Sequence, residues 1–207
     1  MISTGILLAR QIDAYVEANV PTYQKGHLTR IIEKGNSHIG RILHYFPYEE
    51  KGASEDDWCG WHNDHGSLTA LTSAMYTDKN GDEFTLKTNT GGVYAQNRFT
   101  DMLRIGIPPN MIAFQLGEST QIHTGGYLEA TPHCVIRSEE IAGKKVGRNT
   151  FALFMEPDPL EVMKTPEGID PNKVLGTKAY KIPQIKERWE NGMRFKEFHH
   201  QTIQHYS

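Results

Sequence analysis

The sequence has little cysteine, since Cys59 and Cys134 are the two cysteines among 207 residues. Two cysteines cannot make the disulfide framework that holds small secreted domains together, and neither has a second cysteine at zinc-binding spacing. The composition therefore excludes a disulfide scaffold and a cysteine-rich zinc module. A reducing compartment is the simplest inference, and we expect a cytoplasmic protein.

A surplus of one charge sign and a long apolar run are also missing. The chain carries 22 Lys and Arg against 25 Asp and Glu, a formal net charge of -3, with no basic run. Nucleic-acid binding needs a positive surface for the phosphate backbone, so we expect no such partner. No stretch approaches the roughly 20 apolar residues that cross a bilayer, so we expect no membrane association. The sequence leaves the oligomeric state open.

The predicted secondary structure changes from helices to strands along the sequence. Apolar residues at helical spacing predict one helix around residues 8–16 and a second over residues 23–34. Short β-rich runs follow, from IGRILHYF to NTFALFM, separated by Gly, Asn, Asp and Pro. We predict a mainly β, single domain over residues 1–207, with the β core at 38–156 and helical flanks at 5–35 and 182–205.

A proline-rich segment follows the β-rich region. Four prolines lie within EPDPLEVMKTPEGIDPNKV, residues 156–174. Because proline interrupts regular structure, we predict a long irregular connection before a final helix around residues 185–193. Long loops often carry function, and covering a site is one role for this segment.

The candidate chemistry begins in WHNDHGSLTALT, where His62 and Asp64 are two positions apart. In an extended chain, side chains at i and i+2 point to the same face, so an imidazole and a carboxylate can converge on one ion. Taken alone, a His-x-Asp triplet is more often a hydrogen-bonded surface turn. A metal site therefore requires a further ligand elsewhere in the chain.

His133, in a second β-like run, is a suitable third ligand for the same ion. Two histidines and one carboxylate on one face of an octahedral iron leave positions open for a co-substrate and dioxygen. This arrangement is typical of non-haem Fe(II) oxygenases. We therefore predict that His62, Asp64 and His133 bind Fe(II).

Arg148 and Thr150 share one face of the last β-rich run, GRNTFALFM. An arginine that points into an apolar barrel needs an anion, and a guanidinium binds a carboxylate through paired charge-assisted hydrogen bonds. A dicarboxylate co-substrate would supply that anion. The alternative is an exposed arginine at the start of the strand.

These residues together resemble the isopenicillin N synthase-like, 2-oxoglutarate- and Fe(II)-dependent oxygenases of the clavaminate synthase-like superfamily. The pattern of that family is His-x-Asp, a distal His and Arg-x-Ser. Here it is matched by His62, Asp64, His133, Arg148 and, with threonine for serine, Thr150.

The resemblance extends to the sequence around the motifs, over about residues 40–155. RILHYFP resembles the strand before the metal pair, and GESTQIHTGGYLEATPH resembles the hairpin that leads to the distal histidine. The fold that the resemblance implies is a double-stranded β-helix, or jelly roll, with flanking helices. This agrees with the β-rich middle and the helical ends of the chain.

The resemblance also implies the cofactors: Fe(II), 2-oxoglutarate as co-substrate, and dioxygen. The distal carboxylate of 2-oxoglutarate would bind Arg148 and Thr150. The implied reaction is oxidative decarboxylation of 2-oxoglutarate coupled to hydroxylation of an unknown small-molecule substrate. Two alternatives stay open, namely an iron-dependent oxidase that does not use 2-oxoglutarate and a catalytically inactive metal-binding jelly roll.

The chain departs from the family in two places. Phe46 stands where the family has a tyrosine that often contacts the co-substrate, which predicts the loss of one hydroxyl contact. His44, two positions earlier, is a further candidate for contact with 2-oxoglutarate. The region before the barrel offers only two short predicted helices, which is less than is usual in the family.

Neighbouring polar residues are expected to have other roles. His65, Cys59 and Cys134 have the opposite strand parity from the ligands beside them, so we expect none of them to bind the iron. His123 lies in the predicted hairpin and is expected to line the pocket. Surface positions are expected for Glu118, Arg98, Arg104 and the histidines of the C-terminal EFHHQTIQHYS.

Overall fold

A computed structural model describes residues 1–47, 58–88, 90–174 and 182–206 of the chain. The helices in these residues are α1 (Ile2–Asn19), α2 (His27–Lys34), α3 (Glu118–His123) and α4 (Phe195–Tyr206). The strands are β1 (Ile39–Tyr45), β2 (Cys59–His62), β3 (Leu68–Thr72), β4 (Met75–Thr77), β5 (Gly92–Gln96), β6 (Met102–Ile105), β7 (Ile112–Leu116), β8 (His133–Ile136), β9 (Gly147–Met155), β10 (Val162–Met163) and β11 (Met193–Arg194). A mainly β fold with flanking helices is confirmed.

The larger sheet is antiparallel and has the strand order β1-β9-β3-β7, with β4 also paired to β9. Its long strand β9 pairs with β1 on one edge, and with β4 and β3 in succession on the other. Both edges of β9 are therefore occupied. Pairing on both edges fixes the position of each β9 residue along the strand and the face to which its side chain points. Arg148, near the start of β9, is one of these residues.

The second sheet is also antiparallel and has the strand order β2-β8-β5-β6. Its first two strands pair His62 directly with His133, and the register shifts between Cys59 and His62. Directly opposed residues of an antiparallel pair project their side chains to the same face. The pairing of β2 with β8 therefore brings two distant histidines side by side.

The helices α1 and α2 cover the larger sheet. Ala9 of α1 and Leu28 of α2 join Leu68 of β3 and Met155 of β9 in one buried apolar cluster. This packing follows from the apolar spacing that predicts the first helix. Among the described residues, none of the helices combines the length and the apolar character needed to cross a membrane.

Asp13 of α1 is buried and caps the start of α2. Its carboxylate accepts from the backbone N–H of Leu28 at 2.9 Å and of Thr29 at 2.8 Å, and from the hydroxyl of Tyr23 at 2.7 Å. A carboxylate here satisfies helix N–H groups that lack a partner within the helix. The two helices are therefore joined by a cap as well as by apolar contact.

The predicted hairpin over GESTQIHTGG is wrong, because residues 118–123 form the helix α3. The backbone N–H of Glu118 donates to the carbonyl of Asp64 at 2.8 Å, and that of Ser119 to Gly66 at 3.1 Å. These amides are therefore bonded to the loop before β3 and not to a neighbouring strand. His123 accordingly lies on a buried helix.

The predicted final helix around residues 185–193 is also misplaced. Ile185–Glu187 is a single 3-10 turn, and the last α-helix is α4, which begins at Phe195. Gly192 has a φ of 97°, which no α-helix contains, and the short strand β11, paired with β10, lies just before α4. Part of the predicted connection, residues 175–181, lies outside the described residues.

The proline-rich segment packs against helices in the part that the structure describes. Ile169 contacts the apolar cluster of Val16 and Tyr23 at the end of α1, and Met163 belongs to the cluster around Phe198 of α4. Its role in covering a site stays a prediction.

Candidate functional site

His62, Asp64 and His133 lie together where the second sheet meets the larger one. His62 is the last residue of β2, His133 is the first residue of β8, and Asp64 follows in the loop before β3. The Nε2 atoms of His62 and His133 lie 3.8 and 3.9 Å from Oδ1 of Asp64. The potential ligand atoms of all three residues are within 4.8 Å of one another. This spacing suits three ligands around one metal ion.

Backbone carbonyls orient both imidazoles. Nδ1 of His62 lies 2.7 Å from the carbonyl oxygen of Gly60, and Nδ1 of His133 lies 2.8 Å from that of Thr131. Because a carbonyl oxygen only accepts, each Nδ1 carries the proton of the pair. Each Nε2 therefore faces Asp64 and is the nitrogen that can bind a metal ion, which at His133 would replace a contact with Gln115.

Gln115 of β7 also lies at this site, although the sequence motifs do not indicate it. Its side-chain N–H donates to Oδ2 of Asp64, and the same Nε2 atom lies 3.0 Å from Nε2 of His133. The contact leaves Oδ1 of Asp64 facing the two histidines. The signal that could have found Gln115 is strand pairing, since it lies opposite Thr69, five residues after Asp64.

The three residues have unlike protonation states in the metal-free protein. Burial lowers the pKa of His133 despite the charge of Asp64. Burial alone would also lower the pKa of His62, but contact with Cys59 and the charge of Asp64 raise it to about 9. Burial would raise the pKa of Asp64, and the neighbouring His133 and His62 hold it below its usual value. Loss of one proton from His62 would therefore leave two neutral imidazoles and one carboxylate, a set that can bind a cation.

Arg148 is buried in the larger sheet, with an exposed fraction of 4%. Its Nε and Nη1 atoms have no hydrogen-bond partner within the described residues. Its guanidinium carbon lies 5.0 Å from the centre of the Tyr45 ring. A buried guanidinium with unpartnered donors is unfavourable unless an anion binds there, so this is a potential anion site.

Thr150 and Tyr45 lie on the same sheet face as Arg148. Thr150 is two residues further along β9, and Tyr45 pairs directly with Arg148 across β1 and β9. The hydroxyl of Thr150 donates to the carbonyl of Thr72 at 3.2 Å. Trp58 packs beside Tyr45, with the ring centres 5.7 Å apart. The Tyr45 ring therefore lies against the guanidinium, and the Thr150 side chain shares its face of the sheet.

The structure does not bring His44 to this face. His44 pairs with Asn149, and its Nδ1 lies 2.6 Å from Oδ1 of Asn149 on the exposed side of the sheet. Phe46 is 74% exposed. Tyr45, one residue before Phe46, pairs with Arg148, so a tyrosine lies on the arginine face of the sheet. The loss of a hydroxyl contact at Phe46 and the contact of His44 with 2-oxoglutarate stay predictions.

The other histidines near the motif lie elsewhere. His65 points away from Asp64 and contacts His199 of α4, with 2.8 Å between Nε2 of His65 and Nδ1 of His199. His123 does not line this site, since it packs against His27 with ring centres 4.6 Å apart. Cys59 lies 3.7 Å from Nδ1 of His62, on the side away from Asp64.

The predicted surface position of Glu118 is wrong, because its side chain is fully buried. Its two oxygens accept from the guanidinium of Arg188 at 2.8 and 2.9 Å, and one also accepts from Asn63 at 3.2 Å. Burial raises the pKa of Glu118, and the charge of Arg188 opposes that rise. Asn63 stands between His62 and Asp64, so this ion pair supports the loop of the metal pair.

The predicted surface positions of Arg98 and Arg104 are confirmed, since both residues are exposed. Arg104 donates through Nε to the carbonyl of Gly91 at 2.7 Å.

Comparison with known proteins shows likeness at the level of fold. No protein-family model matches the sequence, and no curated protein matches it. A protein from Caulobacter crescentus, provisionally assigned to the 2OG-Fe(II) oxygenase family, has 19% identity and a TM-score of 0.65, covering 100% of this chain and 56% of that one. A provisionally assigned oxygenase from Shewanella oneidensis has 21% identity and a TM-score of 0.61, covering 84% of this chain and 58% of that one.

A full-length protein from Neurospora crassa, solved in complex with alpha-KG, is similar to the chain as well. It has 15% identity and a TM-score of 0.58, and the match covers 89% of this chain and 49% of that one. The chain therefore spans between about half and three fifths of the length of these structures. The likeness shows that it shares the fold found in 2OG-Fe(II) oxygenases.

Proposed function

We propose that this chain is a non-haem Fe(II)- and 2-oxoglutarate-dependent oxygenase that hydroxylates a C–H bond of a small-molecule substrate. We further propose that residues 1–207 form one domain with a jelly-roll core of the isopenicillin N synthase-like kind. The shared fold supports the class of enzyme, and the arrangement of side chains in this chain supports the cofactors.

In this proposal His62, Asp64 and His133 hold the iron. The donor set of two imidazoles and one carboxylate is the one that leaves coordination positions open on Fe(II). Both imidazoles direct Nε2 to the same point, because carbonyls hold their Nδ1 atoms. Gln115 would keep Oδ2 of Asp64 occupied and so leave Oδ1 for the metal.

The observation that supports 2-oxoglutarate as co-substrate is the buried guanidinium of Arg148, two of whose nitrogens have no partner among the residues that the structure describes. A carboxylate there would accept paired hydrogen bonds and remove the cost of burying the charge. The hydroxyls of Tyr45 and Thr150 are on the same face and would complete the binding of the distal carboxylate of 2-oxoglutarate. Trp58 and Tyr45 would keep water from this end of the co-substrate.

When bound, Fe(II) and 2-oxoglutarate supply the activation of dioxygen, and succinate and carbon dioxide are the co-products. The residues of the chain bind and orient these groups. Arg148 sets the direction of 2-oxoglutarate from the larger sheet, while His62 and His133 set the position of the metal from the second sheet. The reaction centre would thus lie between the two sheets.

The test is anaerobic binding of Fe(II) and 2-oxoglutarate, followed by the weak visible charge-transfer band of their chelate. We expect the band in the wild type, and its loss in Arg148→Ala and His133→Ala. The matched controls Arg98→Ala and His200→Ala change exposed residues and should keep it. Metal binding without a band would contradict the use of 2-oxoglutarate and favour an oxidase of another kind. No metal binding would contradict the enzyme assignment.

A further inference from the structure

A second group of potential metal ligands lies on the other side of the loop that carries Asp64. It consists of His65, Glu156 and His199, whose ligand atoms are within 4.8 Å of one another. Nε2 of His65 is 2.8 Å from Nδ1 of His199 and 3.9 Å from Oε1 of Glu156. The histidine-to-carboxylate distance is close to the 3.8 Å between His62 and Asp64.

We propose that His65, Glu156 and His199 form a second metal site, which binds a divalent d-block cation such as Zn(II). Two imidazoles and one carboxylate are a donor set that zinc accepts in proteins, with a further position left for water. His65 and His199 are partly exposed and Glu156 is buried, so a cation can enter from solvent to a carboxylate that water does not fully solvate. This site does not depend on the function proposed for the first one.

The site is preorganised by contacts that do not involve its ligand atoms. The carbonyl of His65 accepts from the hydroxyl of Ser119 at 2.6 Å. Met155, which precedes Glu156, accepts from the backbone N–H of Ser67 at 2.9 Å. The His65 ring packs between Phe195 and Phe198 of α4, with ring centres 6.1 and 6.5 Å away. Little conformational freedom would therefore be lost when a metal ion binds.

The charges around the site permit a cation. Arg41 is the nearby cation that acts on all three ligands, and it is exposed and lies over the Phe154 ring at 5.1 Å. Solvent therefore screens much of its repulsion. The buried Arg188 also repels His65, but it is paired with Glu118.

A third group of potential ligands is unsuited to a metal ion because its carboxylate is already paired. It consists of His27, His123 and Glu161. Both oxygens of Glu161 already accept from the guanidinium of Arg30, at 2.6 and 3.0 Å. A cation there would have to displace an arginine. Glu156 has no comparable arginine bonded to it among the described residues, so its oxygens can serve as ligands.

A metal ion at this site would join three separate parts of the chain. His65 belongs to the loop before β3, Glu156 follows β9, and His199 is on α4. Coordination would therefore hold α4 against the sheets. We expect Zn(II) to raise the melting temperature of the wild type more than that of a variant that lacks His199.

The experiment is titration of the metal-free full chain with Zn(II) alone, by calorimetry, with bound zinc counted by elemental analysis after gel filtration. We expect two Zn(II) per chain in the wild type and in the exposed control His200→Ala. His199→Ala and the near-isosteric Glu156→Gln should each bind one and keep the Fe(II)–2-oxoglutarate band. His133→Ala should also bind one, and the double variant His133→Ala/His199→Ala none.

The experiment tests the two proposed metal sites independently. One Zn(II) that is lost in His199→Ala but kept in His133→Ala would support this site and oppose the first. Wild-type stoichiometry in both His199→Ala and Glu156→Gln would overturn the proposal, because the contact between His65 and His199 would then be only a hydrogen bond. Circular dichroism of each variant distinguishes lost binding from lost folding.

Discussion

At the scale of single residues, the contact between Gln115 and Asp64 connects the larger sheet to the predicted metal ligands. We expect Gln115→Leu to weaken Fe(II) binding by about 10- to 100-fold, because Oδ2 of Asp64 would lose the group that orients it. Anaerobic competition with a chelating dye measures this affinity. The matched control is Gln96→Leu, whose side-chain amide donates to the exposed carbonyl of Thr100 and not to the site. An equal effect in both variants would contradict the role given to Gln115.

The same ligands predict how Fe(II) binding depends on pH. A metal ion needs neutral imidazoles, and the pKa of His62 is raised to about 9 while that of His133 is lowered. Between pH 7 and 9, binding therefore displaces one proton from His62, and the affinity should rise about tenfold per pH unit. The rise should level off above the pKa of His62.

Cys59→Ala tests the cause of that raised pKa. Contact with Cys59 is the largest of the effects that raise it, so the variant should reach its plateau at a lower pH than the wild type. Fe(II) affinities measured at several pH values give both curves. A wild-type affinity that does not change between pH 7 and 8.5 would show that His62 is already neutral.

At the scale of elements, the ion pair of Glu118 and Arg188 ties α3 to the chain just before α4. Both side chains are fully buried, so replacing one leaves an uncompensated charge. We expect Arg188→Met to lower the free energy of unfolding by about 3–5 kcal/mol. In the exposed pair Arg10–Glu33, with 3.7 Å between charged atoms, Arg10→Met should cost less than about 1 kcal/mol. Denaturant unfolding of the two variants compares them, and equal losses would contradict the assigned role.

Elements with local signals were predictable from the sequence, and elements decided by distant contacts were not. The apolar spacing around Leu8 and Val16 predicts α1, and the run GRNTFALFM predicts β9. The helix α3 was missed because the loop of Asp64 and Gly66 takes its first amides, and sequence spacing does not contain that contact. The burial of Glu118 was missed for the same reason, since its partner Arg188 is 70 residues away.

At the candidate site, the alternation of side chains in an extended chain was informative, although Asp64 and His65 lie in the loop after β2. It separates His62 and Asp64 from His65, and the structure places them on different sides. His44 was a candidate from the resemblance and not from parity, and the pairing of β1 with β9 places it beside Asn149 instead of Arg148. The position of Gln115 could not be predicted from alternation within one strand, because it is the pairing of β7 with β3 that brings Gln115 to Asp64.

At the scale of the whole molecule, the two sheets would be joined by the bound groups. Arg148 and Thr150 belong to the larger sheet, while His62 and His133 belong to the second. Because 2-oxoglutarate on the iron would contact both sheets, it should stabilise the folded chain beyond Fe(II) alone. At a concentration of 100 times its dissociation constant this is about 2.7 kcal/mol, or roughly 5–10 °C in melting temperature.

Thermal unfolding without oxygen measures that shift, because no turnover then consumes the co-substrate. In Arg148→Ala we expect Fe(II) to stabilise as before, since its ligands are intact, and 2-oxoglutarate to add little. Arg98→Ala should behave like the wild type. If 2-oxoglutarate stabilised Arg148→Ala as much as the wild type, the guanidinium would not be its binding group, and the proposed direction of the co-substrate between the sheets would be wrong.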